Sequence, residues 1–313
     1  MGDIERNLQN VLGNDLKQNV VLRDYVSIGV GGVADFFYVA KDIASLTAAV
    51  SAAYKEKIPY FILGGGYNVV PSDRGFPGLV IKNESSNILF SPDFSTVIVD
   101  SGVNLGRLIS LSAGRDLGGL EFLYGVPSTV GGAIYGNAGS ANHSIGDFVK
   151  SVTFLMPTDE ELRVVKHDPS WMNFSYRSTK LKADFKEEKY KPVILTAKLQ
   201  LVQRRKDEIL RALKENIEIK KEKQPLGERS AGSFFKNPGN VPEKAAGYLL
   251  EQSGAKKLRV GGASFSKKHA NFLINKKNAT ADDIKTLAKE AKEKVKEKFD
   301  VDLNEEIEYI GRW

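Results

Sequence analysis

GGLEFLYGVPSTVGGAIYGNAGS, residues 118–140, places seven glycines in 23 positions and mixes them with Leu120, Phe122, Leu123, Val126, Val130 and Ile134. A flexible linker is polar, whereas these apolar side chains need burial, so the stretch reads as irregular backbone packed tightly against something flat. One or two glycines serve a turn; Gly125, Gly131, Gly132, Gly136 and Gly139 all fall in one apolar span. Repeated close approach of backbone to a large planar ligand accounts for that density better than loop flexibility does.

Upstream, the chain reads as strand, helix, strand. DFFYV (35–39) is a short apolar run suited to a buried strand. Asp42 is placed to cap a helix with Ile43, Leu46, Val50 and Ala53 at helical spacing, and Pro59 stops it. YFIL (60–63) then runs straight into Gly64-Gly65-Gly66, a βαβ-like unit with its glycine loop after the second strand, where ligands often bind. GGGYN (64–68) fits neither a dinucleotide fingerprint nor a P-loop. Its adjacent N–H groups can form a concave site for a phosphate or pyrophosphate, and a plain tight turn explains this loop alone equally well. GVGGVA (29–34) formally satisfies G-x-G-x-x-A, but it precedes a strand-like run instead of following one, so that match is rejected. Two glycine-rich spans beside strands suggest an extended cofactor with a diphosphate in its middle, flavin dinucleotide being a natural candidate.

Further strands are expected at LVI (79–81), TVIVD (96–100), SVTFLM (151–156) and VILTAKLQLV (193–202), and a helix after Asn104 with Leu105, Leu108, Ile109 and Ser112 on one face. Composition shifts near 203. RRKDEILRALKENIEIKKEK (204–223) is a charged amphipathic helix with Ile209, Leu210, Leu213 and Ile217 inward, and a domain boundary is placed there. Helices follow at 242–254, stopped by Gly254, and at 280–299, capped by Thr280.

The bulk properties narrow the classes. The 313 residues carry a net charge of +6, compatible with a phosphorylated small ligand and too diffuse to argue for nucleic acid. There is no cysteine, and His143, His167 and His269 lack ligand spacing, so no metal site and no histidine-centred triad is expected. The first 18 residues hold no apolar core of the signal-peptide kind, and no run approaches the length of a membrane span; a cytoplasmic location is expected.

SAGSFFKNP (230–238), taken alone, is a Ser/Gly turn beside buried aromatics. Together with LGGGYNVVPSDRGFPGLVI (63–81), GLEFLYGVPSTVGGAIYGNAGS (119–140), FSYRST (174–179), QPLGERSAGSFFKNP (224–238) and HANFLIN (269–275), it resembles, in order, the blocks of the UDP-N-acetylenolpyruvoylglucosamine reductase (MurB) family. The resemblance covers residues 19 to 311 and includes an acidic C-terminal strand. It implies an α+β fold: a two-subdomain FAD-binding fold of the vanillyl-alcohol-oxidase (PCMH) type in segments 1–84 and 85–203. A C-terminal α+β substrate-binding domain follows in 204–313, whose last strand, 301–313, returns a catalytic glutamate. It also implies the reaction. NADPH reduces FAD, and hydride passes to the enolpyruvyl ether of a UDP-sugar, giving UDP-N-acetylmuramate for peptidoglycan. The expected partners are these small molecules, with no nucleic acid, no membrane insertion and a monomeric chain. An FAD-dependent oxidoreductase of the same fold acting on another substrate is the alternative, and a catalytically dead scaffold is a third reading. SAGSFFKNP and the terminal glutamate argue against the alternative, because the fold alone does not require them.

By the same resemblance Ser233 is the proton donor, Arg177 stabilises developing negative charge, and Glu306 positions or protonates the substrate carboxylate. The implied flavin contacts are Gly64, Gly65, Gly66, Tyr67, Asn68, Val69, Gly125, Pro127, Ser128, Thr129, Gly131, Gly132, Asn137 and Ala138. Tyr176, Lys223 and Asn237 are implied at the substrate. On the residues alone, Arg177 would be a surface salt-bridge partner, Glu306 an exposed strand residue and Lys223 a solvated helix end. The chain departs from the family pattern at Tyr67 (usually serine), Ser128 (usually glycine), Val26-Ser27-Ile28, Thr179 and Asn304-Glu305. No long insertion follows FSYRST, which resembles the shorter subtype lacking an extra substrate-capping loop.

Overall fold

The computed structural model describes every residue except 1, 93–94, 141–142, 159–160, 187 and 240. Two compact units emerge, both discontinuous in sequence: Met1–Gln18, Phe36–Gly65 and Gly78–Ile219 form the first, and Asn19–Asp35, Gly66–Pro77 and Lys220–Trp313 the second.

The first unit is built on two hydrophobic cores. In one, a five-stranded antiparallel sheet runs in the order Leu162–His167, Val149–Pro157, Val193–Gln200, Thr96–Asp100, Ile88–Phe90. Period-two alternation sends Val97 and Val99 inward and leaves Ile98 outside, the pattern of a sheet wet on one face. Val97, Val99, Phe154 and Leu199 pack with Leu105, Leu108 and Ile109 of the Leu105–Ala113 helix and with Val130, Ala133 and Ile134. The Asn104 side chain accepts from Arg107 N–H and caps that helix. In the other core, Leu46, Ala49, Val50 and Ala53 of helix Ile43–Lys55 pack on Phe36, Tyr38, Leu79 and Ile81. Asp42 and Ser45 form the reciprocal capping box that starts this helix.

Local structure departs from or adds to the sequence reading at four places. The strands flanking helix Ile43–Lys55 are not neighbours: Phe76–Asn83 lies between them and pairs in parallel with Tyr60–Leu63, Leu63 opposite Lys82. Strand order is a long-range choice that local pattern does not encode. The 118–140 stretch is not irregular throughout, since a 3-10 turn Glu121–Leu123 and a helix Val130–Tyr135 sit within it. Two glycines in a six-residue helix mask its propensity. Leu210 is exposed on the Lys206–Lys223 helix while Ile209 and Leu213, one turn apart, are buried and Ile217 is half-buried. Finally, Gly2–Leu12 is a helix burying Leu8 and Leu12, which the sparse apolar spacing there did not announce.

The second unit has its own antiparallel sheet, ordered Ser230–Ser233, Phe272–Asn275, Ala263–Phe265, Arg259–Val260. Helix Ala281–Phe299 opens with a Thr280–Asp283 capping box and buries Ile284, Leu287, Ala291 and Val295. Helix Ala246–Gln252 ends before Gly254, which takes φ +76°. The C-terminal strand is only Glu308–Ile310, paired in parallel with Val69–Pro71, so Glu306 lies just before the strand and not on it. Among the described residues no helix is long and apolar enough to cross a membrane.

Candidate active site

In the second unit the two serines of SAGS are put to different uses. Strand Ser230–Ser233 pairs Ser230 with Ile274 and Ser233 with Phe272, a register that gains one residue. Gly232 absorbs that bulge at φ +80°. The Ser230 hydroxyl accepts from Gly232 N–H at 3.1 Å and its carbonyl accepts from the Ser27 hydroxyl at 2.6 Å, so Ser230 shapes the turn. Ser233 is half-buried, and among the described residues no protein group hydrogen-bonds its hydroxyl. Phe234 and Phe235 are fully buried, ring centroids 5.3 Å apart edge-to-face, and anchor the strand. Asn271, from HANFLIN, grips Phe235 on both backbone groups: its Nδ2 donates to the carbonyl at 2.8 Å and its Oδ1 accepts from the N–H at 2.9 Å. Sequence reading had assigned Asn271 no task, although its place in a block beside SAGSFFKNP was the available signal.

The C-terminal segment lies antiparallel against this strand. Glu306 N–H donates to Phe234 carbonyl at 2.8 Å, Lys236 N–H donates to Asn304 carbonyl at 2.8 Å, and Phe235 bridges Glu305. Glu306 is half-buried, and its carbonyl accepts from Asn68 Nδ2 at 3.1 Å. Glu308 N–H donates to Asn68 carbonyl at 2.9 Å, and Glu308 pairs with Val69. Ser233, Glu306, Asn68 and Val69 are therefore brought together by backbone pairing. Tyr67 is exposed, and its carbonyl stands 4.0 Å from where a Gly232 Cβ would be.

The two other residues expected at the substrate in this unit lie at helix ends. Asn237 Oδ1 accepts from Ala246 N–H at 3.0 Å and so caps helix Ala246–Gln252. Lys223 is exposed at the end of its helix. Three residues earlier, burial pushes the half-buried Lys220 ammonium down to about 8. That position went unremarked in the sequence, where one lysine of the run looks like any other.

In the first unit, Arg177 occupies a tight turn closed by reciprocal Ser175–Ser178 backbone bonds of 3.0 and 3.2 Å, at φ +52°. A left-handed arginine is strained, and such strain tends to collect at functional positions. Its guanidinium donates to Gly139 carbonyl at 2.6 Å and reaches Asn137 carbonyl at 3.5 Å. Asn137 is buried at φ +44°, its side chain donating to Ser175 carbonyl at 2.8 Å and accepting from Gly146 N–H at 3.1 Å. The glycine-rich stretch thus holds Arg177 and the FSYRST turn in place. Tyr176 is exposed, with the Arg177 guanidinium 5.4 Å from its ring centroid.

Within the same stretch the glycines divide. A Cβ on Gly131 would sit 2.8 Å from Ser101 Cβ, and one on Gly139 would sit 2.5 Å from His143 carbonyl. In both, the Cβ direction faces the chain itself. Gly125 turns the chain at φ +78° ahead of exposed Pro127. The Ser128 hydroxyl donates to Thr129 carbonyl at 2.9 Å, and Thr129 Oγ1 accepts from Gly132 N–H at 3.2 Å as the helix cap. Gly132 is exposed, Ala138 N–H donates to Ala133 carbonyl at 2.8 Å, and a Gly136 Cβ would meet nothing nearer than 3.6 Å.

The 64–68 loop suits a diphosphate. Gly64 packs so closely on Thr129 that a Cβ would come within 2.7 Å of Oγ1, and Gly66 takes φ +72° with its Cβ position 2.2 Å from Tyr25 carbonyl. Among the described residues the N–H groups of Gly65, Gly66 and Tyr67 donate to no protein group. Consecutive N–H groups without a protein acceptor are the donor set a phosphate needs. An open concavity of about 560 Å³, with Lys150, Lys166 and Lys198 among its lining, lies on the five-stranded sheet and includes none of these residues.

The mixed α+β fold and its glycine loop accord with an FAD-binding oxidoreductase, and comparison with known proteins gives that class. Residues 34–165 match the model of an FAD binding domain, and residues 224–310 match that of the UDP-N-acetylenolpyruvoylglucosamine reductase C-terminal domain. A UDP-N-acetylenolpyruvoylglucosamine reductase of Clostridium novyi is 36% identical over 311 residues, covering 99% of this chain and 97% of that one. One of Anoxybacillus flavithermus is 35% identical, with 95% of each chain covered. The crystal structure of UDP-N-acetylenolpyruvylglucosamine reductase (MurB) from Thermus caldophilus superposes with a TM-score of 0.75 at 32% identity, covering 93% of this chain and 97% of that one. The chain belongs to the UDP-N-acetylenolpyruvoylglucosamine reductase family, and it is a flavoprotein reductase with the FAD-binding fold and C-terminal α+β domain that the sequence implied.

Proposed function

We propose that the chain reduces the enolpyruvyl ether of UDP-N-acetylenolpyruvoylglucosamine to UDP-N-acetylmuramate for peptidoglycan, with Ser233 as proton donor. The observation that supports the assignment is the backbone pairing of Glu306 with Phe234, the residue that follows Ser233, whose hydroxyl no protein group engages among the described residues. Bound FAD, reduced by NADPH, supplies the hydride. Hydride arrival at the terminal carbon leaves negative charge on the substrate carboxylate in an enol-like species, and the neighbouring carbon then needs a proton. A serine is a weak acid, so it serves only when fixed within hydrogen-bonding reach. Buried Phe234 and Phe235, the Asn271 grip and the Gly232 bulge supply that fixity. Arg177, its guanidinium oriented by the Gly139 carbonyl, stabilises the developing charge, and Glu306 positions or protonates the carboxylate.

In this reading segments 1–84 and 85–203 carry the flavin and 204–313 the substrate; the two family matches, 34–165 and 224–310, fall within that division. Gly64 through Val69, Gly125, Pro127, Ser128, Thr129, Gly131, Gly132, Asn137 and Ala138 serve the flavin. Tyr176, Lys223 and the Asn237 amide serve the UDP-sugar. The protein acts as a cytoplasmic monomer on small molecules.

Anaerobic stopped-flow of Ser233→Ala tests the role. NADPH should bleach the flavin at the normal rate, while reoxidation by the UDP-sugar slows by roughly 10³-fold. Equal slowing of both steps would remove the role. A wild-type protein that bleaches but is never reoxidised by this UDP-sugar would instead be a flavoenzyme for another substrate.

A further inference from the structure

Lys82 reaches the glycine loop from a neighbouring strand, and no sequence motif marks it out. It sits on strand Phe76–Asn83 opposite Leu63, and its ammonium donates to the Gly64 carbonyl. The side chain is half-buried, and burial pushes its ammonium below the ordinary lysine range, with Glu84 acting in the opposite sense. On another side of the same residue, Thr129 Oγ1 lies 2.7 Å from the Gly64 Cβ position, so a larger residue there would displace the Thr129 side chain. A Gly-Gly peptide unit lacks the side chains that would settle its orientation, and it flips at little cost. A trans peptide is planar, with its carbonyl and the following N–H pointing in opposite directions. Holding the Gly64 carbonyl therefore aims the Gly65 N–H.

We propose that Lys82 is a positioning residue for the flavin diphosphate. By fixing the Gly64 carbonyl it keeps the Gly65 N–H turned away from the ammonium and available to a phosphate oxygen. The inference rests on FAD binding at residues 64–67. A charge-assisted hydrogen bond of this kind corresponds to roughly 10- to 100-fold in binding when lost.

The test compares FAD with riboflavin, which lacks the diphosphate, on flavin-free protein from the full chain, read by flavin fluorescence. Lys82→Met should raise the FAD dissociation constant roughly 10- to 100-fold and leave that of riboflavin within about 2-fold, with unchanged circular dichroism. Lys82→Arg should recover most of the FAD affinity. Lys82→Met binding FAD within about 2-fold of wild type, or losing FAD and riboflavin affinity equally, would overturn the proposal. Wild-type protein that takes up no FAD would instead sink the flavin assignment of the loop.

Discussion

Residues 64–68 and 118–140 are the two regions densest in glycine, and they use it in opposite ways. In the first, Gly64 and Gly66 are wedged against Thr129 and the Tyr25 carbonyl, and the loop's N–H groups are left without protein partners. In the second, Gly131 and Gly139 let the chain approach itself, and a short helix plus the Asn137 bonds lock the result around Arg177. Glycine density marks close approach, but not what approaches. The direction of the absent Cβ decides that, and it is a property of the folded backbone.

Alanine at three glycines would break or sharpen this contrast. The largest effect belongs to Gly66→Ala: a left-handed φ of +72° and a backbone carbonyl 2.2 Å from the new methyl leave no local relief. A loss of roughly 3 kcal/mol or more in chemical denaturation is expected, with flavin uptake abolished. A stable, yellow Gly66→Ala would show that the loop is an ordinary turn. Gly131→Ala comes next. Its methyl meets Ser101 Cβ at 2.8 Å and carbonyl at 3.0 Å, an overpacking of about 1–2 kcal/mol after the helix gains a better former. That loss should appear equally in flavin-free protein. A defect seen only with FAD present would return Gly131 to the ligand. The smallest is Gly136→Ala, whose methyl has its nearest neighbour at 3.6 Å and whose φ of −90° suits alanine. Stability should stay within about 0.5 kcal/mol and flavin uptake should be unchanged. A marked flavin defect there would mean that the second region faces the ligand after all.

Local chemistry made much of the fold legible. Asp42, Asn104 and Thr280 each cap the helix expected after them, and YFIL and TVIVD form strands with the bounds read from their apolar runs. Leu210 shows where periodicity runs short: in a charged helix with one buried stripe, an apolar residue beside that stripe can still face solvent. The site was legible only in part. Ser233 stood out only through the family resemblance, since a Ser/Gly turn beside buried aromatics is common and nothing local separates it from Ser230. The bulge at Gly232 does, by turning one hydroxyl onto the backbone and leaving the other unengaged. Asn271 and Lys82 act only through groups distant in sequence, so no spacing rule finds them.

By itself the sequence determined where several strands and helices begin, which segments need burial, and membership of a flavin-dependent reductase family through ordered blocks. Those are properties of consecutive residues, of their periodicity, caps and composition. Only the tertiary structure decided that Glu306 lies against Phe234, that Phe76–Asn83 separates the two strands beside it, and that the Cβ direction of Gly131 faces Ser101. Pairing partners and Cβ directions are fixed by long-range closure of the chain, where many local choices are equivalent until packing selects one.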